Sequence, residues 1–330
     1  MKFDVITIGS AVKDVFVQSD KFYVEESDRF PGSEDACFVL GGKIEIDEPL
    51  FGSGGGATNA AATFAKLGLK AATIAKVGSD DTGKEVLKDI HDHGVYTNLM
   101  AIAAKGGTGY SLLLTAANGQ RTAVVYRGVS KELQPKDIEW SKIQTKWFYV
   151  TSMGGNMTLL KKIFSFAAKN DIKIMWNPGS LELAKGTRAL KSFFKKTDIL
   201  SLNREESATI TKLGAHDLRN IIKTMSSLVG GVYVLTDGKH GTYASRDEEC
   251  FFANPTDVKV INATGSGDAF GSAFTTGMIH SDGDIITSLR LGTLNAESVI
   301  QVVGAKEGIL NRMPGSRRLA SIKVEPYRIH

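Results

Sequence analysis

The residues in this chain that could do chemistry gather in two glycine-rich segments. One is Asn262-Ala263-Thr264-Gly265-Ser266-Gly267-Asp268-Ala269-Phe270, which follows the apolar run Val258 to Ile261 and leads into the small and apolar residues Ala269 to Ile279. Residues this small let the backbone N–H groups of Gly265, Ser266 and Gly267 point at one spot, and the start of a helix there favours an anion. Such a nest can hold the oxygens of a phosphoryl group in transit. Asp268 stands beside it, where a carboxylate can take a proton from an attacking hydroxyl. A helix N-cap accounts for one acidic residue at this position. It does not account for two glycines and a serine immediately before it. The other segment is Gly52-Ser53-Gly54-Gly55-Gly56-Ala57-Thr58-Asn59. Its glycines permit close approach of backbone to ligand. Asn59, in the first turn of the following helix, can donate to or accept from a hydroxyl. A plain hinge would use the same glycines.

The elements that must position these segments alternate strand and helix, which implies a mostly parallel sheet with helices on both faces. Strands are expected at Phe3 to Ile8, Ala71 to Val77, Trp147 to Val150, Lys173 to Trp176, Ile199 to Leu202 and Val232 to Thr236. Helices are expected at Ala57 to Leu67, Val86 to His93, Leu159 to Lys169, Leu181 to Lys195, Arg204 to Leu213 and Leu218 to Leu228. Two stretches break the rhythm. Val15 to Leu50 and Gly109 to Tyr126 read as antiparallel hairpins with turn signals at Gly41-Gly42 and Asn118-Gly119. They have no place in a parallel core and are expected to form a small β-sheet lid, built from about 15–50 and 109–127, on a single domain spanning 1–330.

The bulk composition bounds the function. Of 330 residues, 42% are hydrophobic and 23% charged, which excludes disordered and fibrous classes. The net charge of +4 does not call for a nucleic-acid surface but suits an anionic substrate held locally. Two cysteines, Cys37 and Cys250, make no disulfide framework. The first residues read as a core strand rather than a signal peptide. No apolar run approaches the roughly 20 residues of a membrane helix. The expectation is a cytoplasmic protein with no membrane partner.

The two glycine-rich segments resemble the two signatures of the ribokinase-like (PfkB) carbohydrate kinase family. The first corresponds to a GG-x-x-x-N element that runs on through Leu67-Gly68 to Val77-Gly78-Ser79-Asp80-Asp81-Thr82-Gly83, the second to D-T-x-G-A-G-D-x-F. Asn203-Arg204-Glu205-Glu206 looks like the family's N-x-x-E motif, and Thr236-Asp237-Gly238-Lys239-His240-Gly241 like its nucleotide-phosphate turn. The resemblance keeps its order over essentially the whole chain.

This resemblance implies a ribokinase-like α/β fold and an ATP-dependent kinase that phosphorylates a hydroxymethyl group of a sugar or sugar derivative. An adenosine-type nucleoside kinase is the alternative. Asp268 would be the base and Gly265, Ser266 and Gly267 the anion hole. Asp14, Gly55, Gly56 and Asn59 would hold the acceptor, and Arg127 could reach a sugar hydroxyl or a phosphate. Asn203 and Glu206 would organise Mg²⁺ and its waters. Thr236, Gly238 and Gly241 would touch the nucleotide, and Asn295 falls where the adenine pocket usually is. Two positions depart from the pattern. Asn262 replaces the aspartate that opens the second signature, so K⁺ would rest on Asn262, Thr264 and backbone carbonyls. Gly56 stands where ribokinase itself has lysine.

Other features point away from competing classes. His91-Asp92-His93 sits two apart on a helix, off a common face. The basic C-terminal residues Arg312, Arg317, Arg318, Lys323 and Arg328 alternate with apolar ones and read as a packed tail. Gly9-Ser10-Ala11-Val12 after the first strand lacks the G-x-G-x-x-G of a dinucleotide-dependent oxidoreductase. A non-catalytic sensor on the same fold need not keep Asp268 and its glycines. Exposed edges of the small sheet make a homodimer through paired lids the expected assembly.

Overall fold

The structure, a computed structural model, describes residues 1–29, 34–116 and 121–329. In chain order the first half holds β1 (Phe3–Ile8), β2 (Val12–Gln18), β3 (Tyr23–Glu26), β4 (Glu34–Cys37), β5 (Leu50–Gly54), α1 (Gly56–Lys66), β6 (Ala71–Ile74), β7 (Lys76–Gly78), α2 (Asp81–Asp92), β8 (Ala101–Ala103), β9 (Gly109–Thr115) and β10 (Arg121–Tyr126). There follow β11 (Thr145–Val150), α3 (Met157–Lys169), β12 (Lys173–Trp176), α4 (Ser180–Leu183), α5 (Gly186–Phe194), β13 (Ile199–Asn203), α6 (Arg204–Thr211), α7 (Leu218–Leu228), β14 (Val232–Thr236), β15 (Thr242–Arg246), β16 (Glu249–Ala253), α8 (Ser266–His280), α9 (Ile285–Ile300), α10 (Ser316–Leu319) and β17 (Val324–Pro326).

The main sheet runs β17-β16-β15-β14-β13-β12-β11-β1-β6. From β6 to β14 neighbours are parallel, and β15 to β17 close one edge antiparallel. Strand residues alternate between two cores because successive side chains face opposite ways. Phe148 and Val150 of β11, Ile174 and Trp176 of β12, and Tyr233 and Leu235 of β14 pack with α3, α5, α6 and α7. Trp147, Tyr149, Met175, Val232 and Val234, on the other face, pack with α1, α8 and α9. Both faces are therefore covered, as a parallel sheet requires.

The small sheet runs β10-β9-β2-β5. Its outer pairings are antiparallel, while β2 and β9 run parallel. It begins at Val12, three residues before the expected hairpin, and so takes Asp14 onto a strand. Gly41-Gly42 does form a turn, with the Gly42 N–H on Val39 O at 3.1 Å, but no strand leaves it until β5. The other turn signal, Asn118-Gly119, lies outside the described residues.

Other boundaries moved for local reasons. The run Ala71 to Val77 breaks at Ala75 into β6 and β7. The helix expected at 181–195 divides before Gly186, whose φ of +78° a helix interior does not hold. Helix α2 starts five residues early, because the Asp80 carboxylate accepts the Gly83 N–H at 2.9 Å and caps it. The basic tail is packed: Ile322 and Ile329 are buried and β17 pairs with β16. Both cysteines are free, and burial pushes the Cys250 thiol up to about 12. Among the described residues no helix is long and apolar enough to cross a membrane.

Candidate active site

Two cavities meet at the second glycine-rich turn. The first, of about 380 Å³, opens at the carboxyl ends of β1 and β11, where Gly9, Ser10, Ser152 and Met153 follow those strands. This is where ligands gather in parallel α/β sheets. One face of the small sheet forms its opposite wall through Asp14, Ser111, Leu113, Val125 and Arg127. The glycine segment before α1 brings Gly55, Gly56 and Asn59 to the same cavity, and the turn before α8 brings Thr264, Gly265 and Asp268.

The glycines are there for space. Gly55 has φ +97°, and a Cβ on it would lie 2.5 Å from Ser10 O. A Cβ at Gly54 would collide with the Asp14 carboxylate. Gly265 caps α8 with φ +77°, the left-handed region that glycine alone enters freely. Being in the first turn, the amides that follow have no carbonyl one turn back. The Ser266 N–H makes one long bond inside the turn, to Ala263 O at 3.4 Å.

Asp268 is half-buried, and its Oδ2 accepts the Asn59 Nδ2–H at 2.9 Å. Asn59 was expected to hold the acceptor. Its amide nitrogen holds the carboxylate, its buried Oδ1 has no partner, and the residue lines the first cavity. Burial raises the Asp268 pKa above the ordinary carboxylate value, opposed by the Asn59 bond and the charge of Lys306. Burial raises Asp14 likewise, opposed by a hydrogen bond from Ser111 and by Lys306.

Lys306 is the residue that the sequence did not disclose. It is 2% exposed, and its ammonium donates to Ser53 O beside the glycine segment. Ser53 in turn donates its N–H and Oγ–H to Asp89 Oδ2, at 2.9 and 2.5 Å. Burial lowers the Lys306 pKa, against the attraction of Asp89, Asp14, Glu307 and Asp268. A buried cation so placed keeps the two site carboxylates ionised more easily than burial alone would.

The second cavity, of about 590 Å³, lies on the other side of the same turn. Ala263, Ser266 and Gly267 line it from the turn, Thr236, Gly238 and Gly241 from the end of β14, and Val258, Val260 and Ile300 form an apolar wall. A Cβ at Gly238 or Gly267 would meet nothing within 4 Å, so both leave open backbone for a ligand. Val258 and Val260 thus line this cavity from a loop. The loop is held by Glu297, whose Oε1 accepts the Thr256 N–H at 2.5 Å.

Asn203 and Glu206 form a reciprocal capping box at the start of α6. The Glu206 N–H donates to Asn203 Oδ1 at 2.8 Å and the Asn203 N–H to Glu206 Oε2 at 2.9 Å. Neither lines the two cavities, but Arg204 ties their helix to the 236–241 turn through Asp237 at 2.8 Å. Burial raises the Glu206 pKa. Asn295 lines neither cavity. It is wholly buried, with Nδ2–H on Ala269 O and Oδ1 on the Leu310 N–H, both at 2.9 Å. Its amide is spent locking α9 to α8, and the neighbouring Thr293, Ala296 and Glu297 face the cavity instead.

The family model of the pfkB family carbohydrate kinases matches residues 32–312. The chain belongs to that family. It is a phosphotransferase with an alcohol group as acceptor, and the ribokinase-like fold expected from the sequence is the fold observed. An uncharacterized sugar kinase of Archaeoglobus fulgidus is 26% identical over 252 residues, 74% of this chain and 97% of the relative. An ATP-dependent 6-phosphofructokinase of Thermoanaerobacterium thermosaccharolyticum is 24% identical, covering 92% of this chain and 90% of the relative. Among solved structures, an Arabidopsis thaliana ribokinase complexed with ribose and ATP superposes with TM-score 0.76 at 18% identity, covering 97% of this chain and 98% of that one.

In this pfkB kinase the departure at Asn262 has a local consequence. Asn262 is buried and its Oδ1 accepts the Thr264 N–H at 2.7 Å, so the side chain shapes the loop. Thr264 Oγ1 is buried with no partner and is the free oxygen here. Among the described residues no three His, Cys, Asp or Glu side chains gather into a metal cage.

Proposed function

We propose that this pfkB kinase moves the terminal phosphate of ATP onto a hydroxymethyl group of a sugar or sugar derivative, with Asp268 as general base. One observation carries the reading: a single turn serves both cavities. Thr264, Gly265 and Asp268 face the first, and Ala263, Ser266 and Gly267 face the second. An acceptor in the first cavity and a nucleotide in the second would meet at that turn.

Phosphoryl transfer needs positioning and charge neutralisation more than covalent help. Asp14 and the free Oδ1 of Asn59 would take hydrogen bonds from the acceptor's hydroxyls, beside Gly55 and Gly56. The reacting hydroxyl would give its proton to the Asp268 carboxylate as its oxygen attacks the phosphorus. The backbone N–H groups of Gly265, Ser266 and Gly267 would donate to the oxygens of the phosphoryl group in transit. Thr236, Gly238 and Gly241 would hold the nucleotide. Glu206 and Asn203, at the start of α6, would hold Mg²⁺ through water, and the ion when bound would supply charge neutralisation at the phosphates. A K⁺ ion would rest on Thr264 Oγ1, backbone carbonyls and the second lone pair of Asn262 Oδ1.

The small sheet would act as a lid, excluding water when it closes. Its edge strand β10 is exposed along its whole length, which supports pairing of two lids in a homodimer. A cytoplasmic location fits a consumer of ATP. A nucleoside acceptor is the second reading, favoured by the apolar stretch of Leu133, Met153, Leu159 and Leu181 in the first cavity. A coupled ADP-release screen over sugars, sugar derivatives and nucleosides tests the function. Acceptor-dependent ADP release is expected. ATP binding with no turnover on any acceptor would make the protein a sensor.

A further inference from the structure

Resting on the kinase reading above, we propose that the acceptor is anionic: a sugar carrying a phosphate ester or a carboxylate at the end remote from the hydroxyl that is phosphorylated. The first cavity is charged in two halves. Its carboxylates, Asp14 and Asp268, lie at the reacting end. Among the described residues that line it, the cations are Arg127 and Lys131, where β10 leaves the small sheet. Among the described residues neither has an ion-pair partner, whereas neighbouring Lys76 is held by Asp137 at 2.9 Å.

The two cations are rooted on a fixed turn. Gly128 has φ +49°, the Val129 N–H donates to Gly107 O at 3.0 Å, and the Ala11 N–H to Ser130 Oγ at 3.3 Å. Residues 128–130 are buried, and Ser130 lines the cavity between the two cations. Strand register gives the spacing. Asp14 stands opposite Ser111, and Ser111 opposite Val125. Arg127, two residues further on and two strands across, therefore has its Cα roughly 12 Å from that of Asp14. A sugar fits between, with a long side chain returning from the far end. Leu113, Leu133 and Met153 in the same cavity offer no hydrogen bonds and suit the C–H face of a sugar ring. Both cations are exposed and hydrated in the free protein, and so are available to an incoming anion. A phosphate or carboxylate would take the bidentate donors of the guanidinium.

The test is ADP release with matched acceptors: pentoses and hexoses, the same sugars as phosphate esters, the corresponding sugar acids, and nucleosides. The best acceptor is expected to be anionic, with kcat/KM at least ~100-fold above its neutral counterpart. Arg127→Gln should reduce that preference at least ~10-fold, raising KM far more than it lowers kcat, and Lys131→Ala should do so less. The ester and acid arms tell which anion is read. A neutral sugar or a nucleoside as best acceptor, or a preference unmoved by Arg127→Gln, overturns the anionic assignment while Asp268-dependent turnover leaves the kinase standing. No Asp268-dependent ADP release on any acceptor overturns both.

Discussion

Asn59 and Asp268, 209 residues apart, share a hydrogen bond of 2.9 Å, and it joins the two glycine-rich segments into one site. The bond runs from an amide at the start of α1 to a carboxylate at the start of α8, helices that pack side by side. It favours the ionised form of a carboxylate whose pKa burial raises. Asn59→Leu should therefore move the acidic limb of kcat/KM to higher pH and lower kcat/KM about tenfold on that limb. An unmoved limb, measured with a saturating nucleotide, would show that the bond does not tune Asp268.

Lys306 acts on the same carboxylates from behind the glycine segment. Its positive charge lowers the pKa of both Asp14 and Asp268. Lys306→Met removes that charge, so both pKa values rise and activity is lost first at low pH. A pH–rate profile should show the acidic limb displaced upward with the plateau at high pH largely kept. A uniform loss at all pH values would instead mark Lys306 as a residue that only holds β5 through Ser53.

Gly54 lies against the Asp14 side chain. A methyl group at this position collides with the Asp14 carboxylate. Gly54→Ala is expected to displace Asp14 and raise the acceptor KM at least ~10-fold, with the nucleotide KM within about twofold. Equal effects on both substrates would argue against Asp14 as an acceptor ligand.

The stability of the fold should also report on Asp268. Its folded pKa lies above the unfolded one, so the protonated form is favoured by folding. That contribution is present below the ordinary carboxylate range and is lost as pH rises through the folded pKa. At neutral pH the ionised side chain is a cost. Asp268→Asn should keep or raise Tm at pH 7, with the difference shrinking on acidification. A Tm several degrees lower at pH 7 would mean that the carboxylate is structural.

Much of the scaffold could be read in the sequence because it rests on local pattern. Phe3 to Ile8, Lys173 to Trp176, Val232 to Thr236 and Leu218 to Leu228 formed as expected. Each is a short apolar run or an amphipathic stretch with its stop signal nearby. The glycine turns also carried local signals, since small residues beside Asp268 and Asn59 serve close backbone approach. Lys306 carried none. It meets Ser53 across 253 residues, and only the folded chain makes it a cation behind Asp14. Asn295 was named from the family resemblance alone, and the hydrogen bonds that packing gives both ends of its amide carry no local signal. The parallel pairing of β2 with β9 is likewise set by tertiary contacts, not by the alternation within either strand.

The central claim is that Asp268 takes the proton from the acceptor hydroxyl. It is tested most directly by acceptor-dependent ADP release from Asp268→Asn beside the unsubstituted protein, with ATP binding followed by calorimetry on both. The variant should bind ATP with Kd within about twofold and lose at least ~100-fold in kcat. ATP binding intact with kcat near that of the unsubstituted protein would contradict Asp268 as the base.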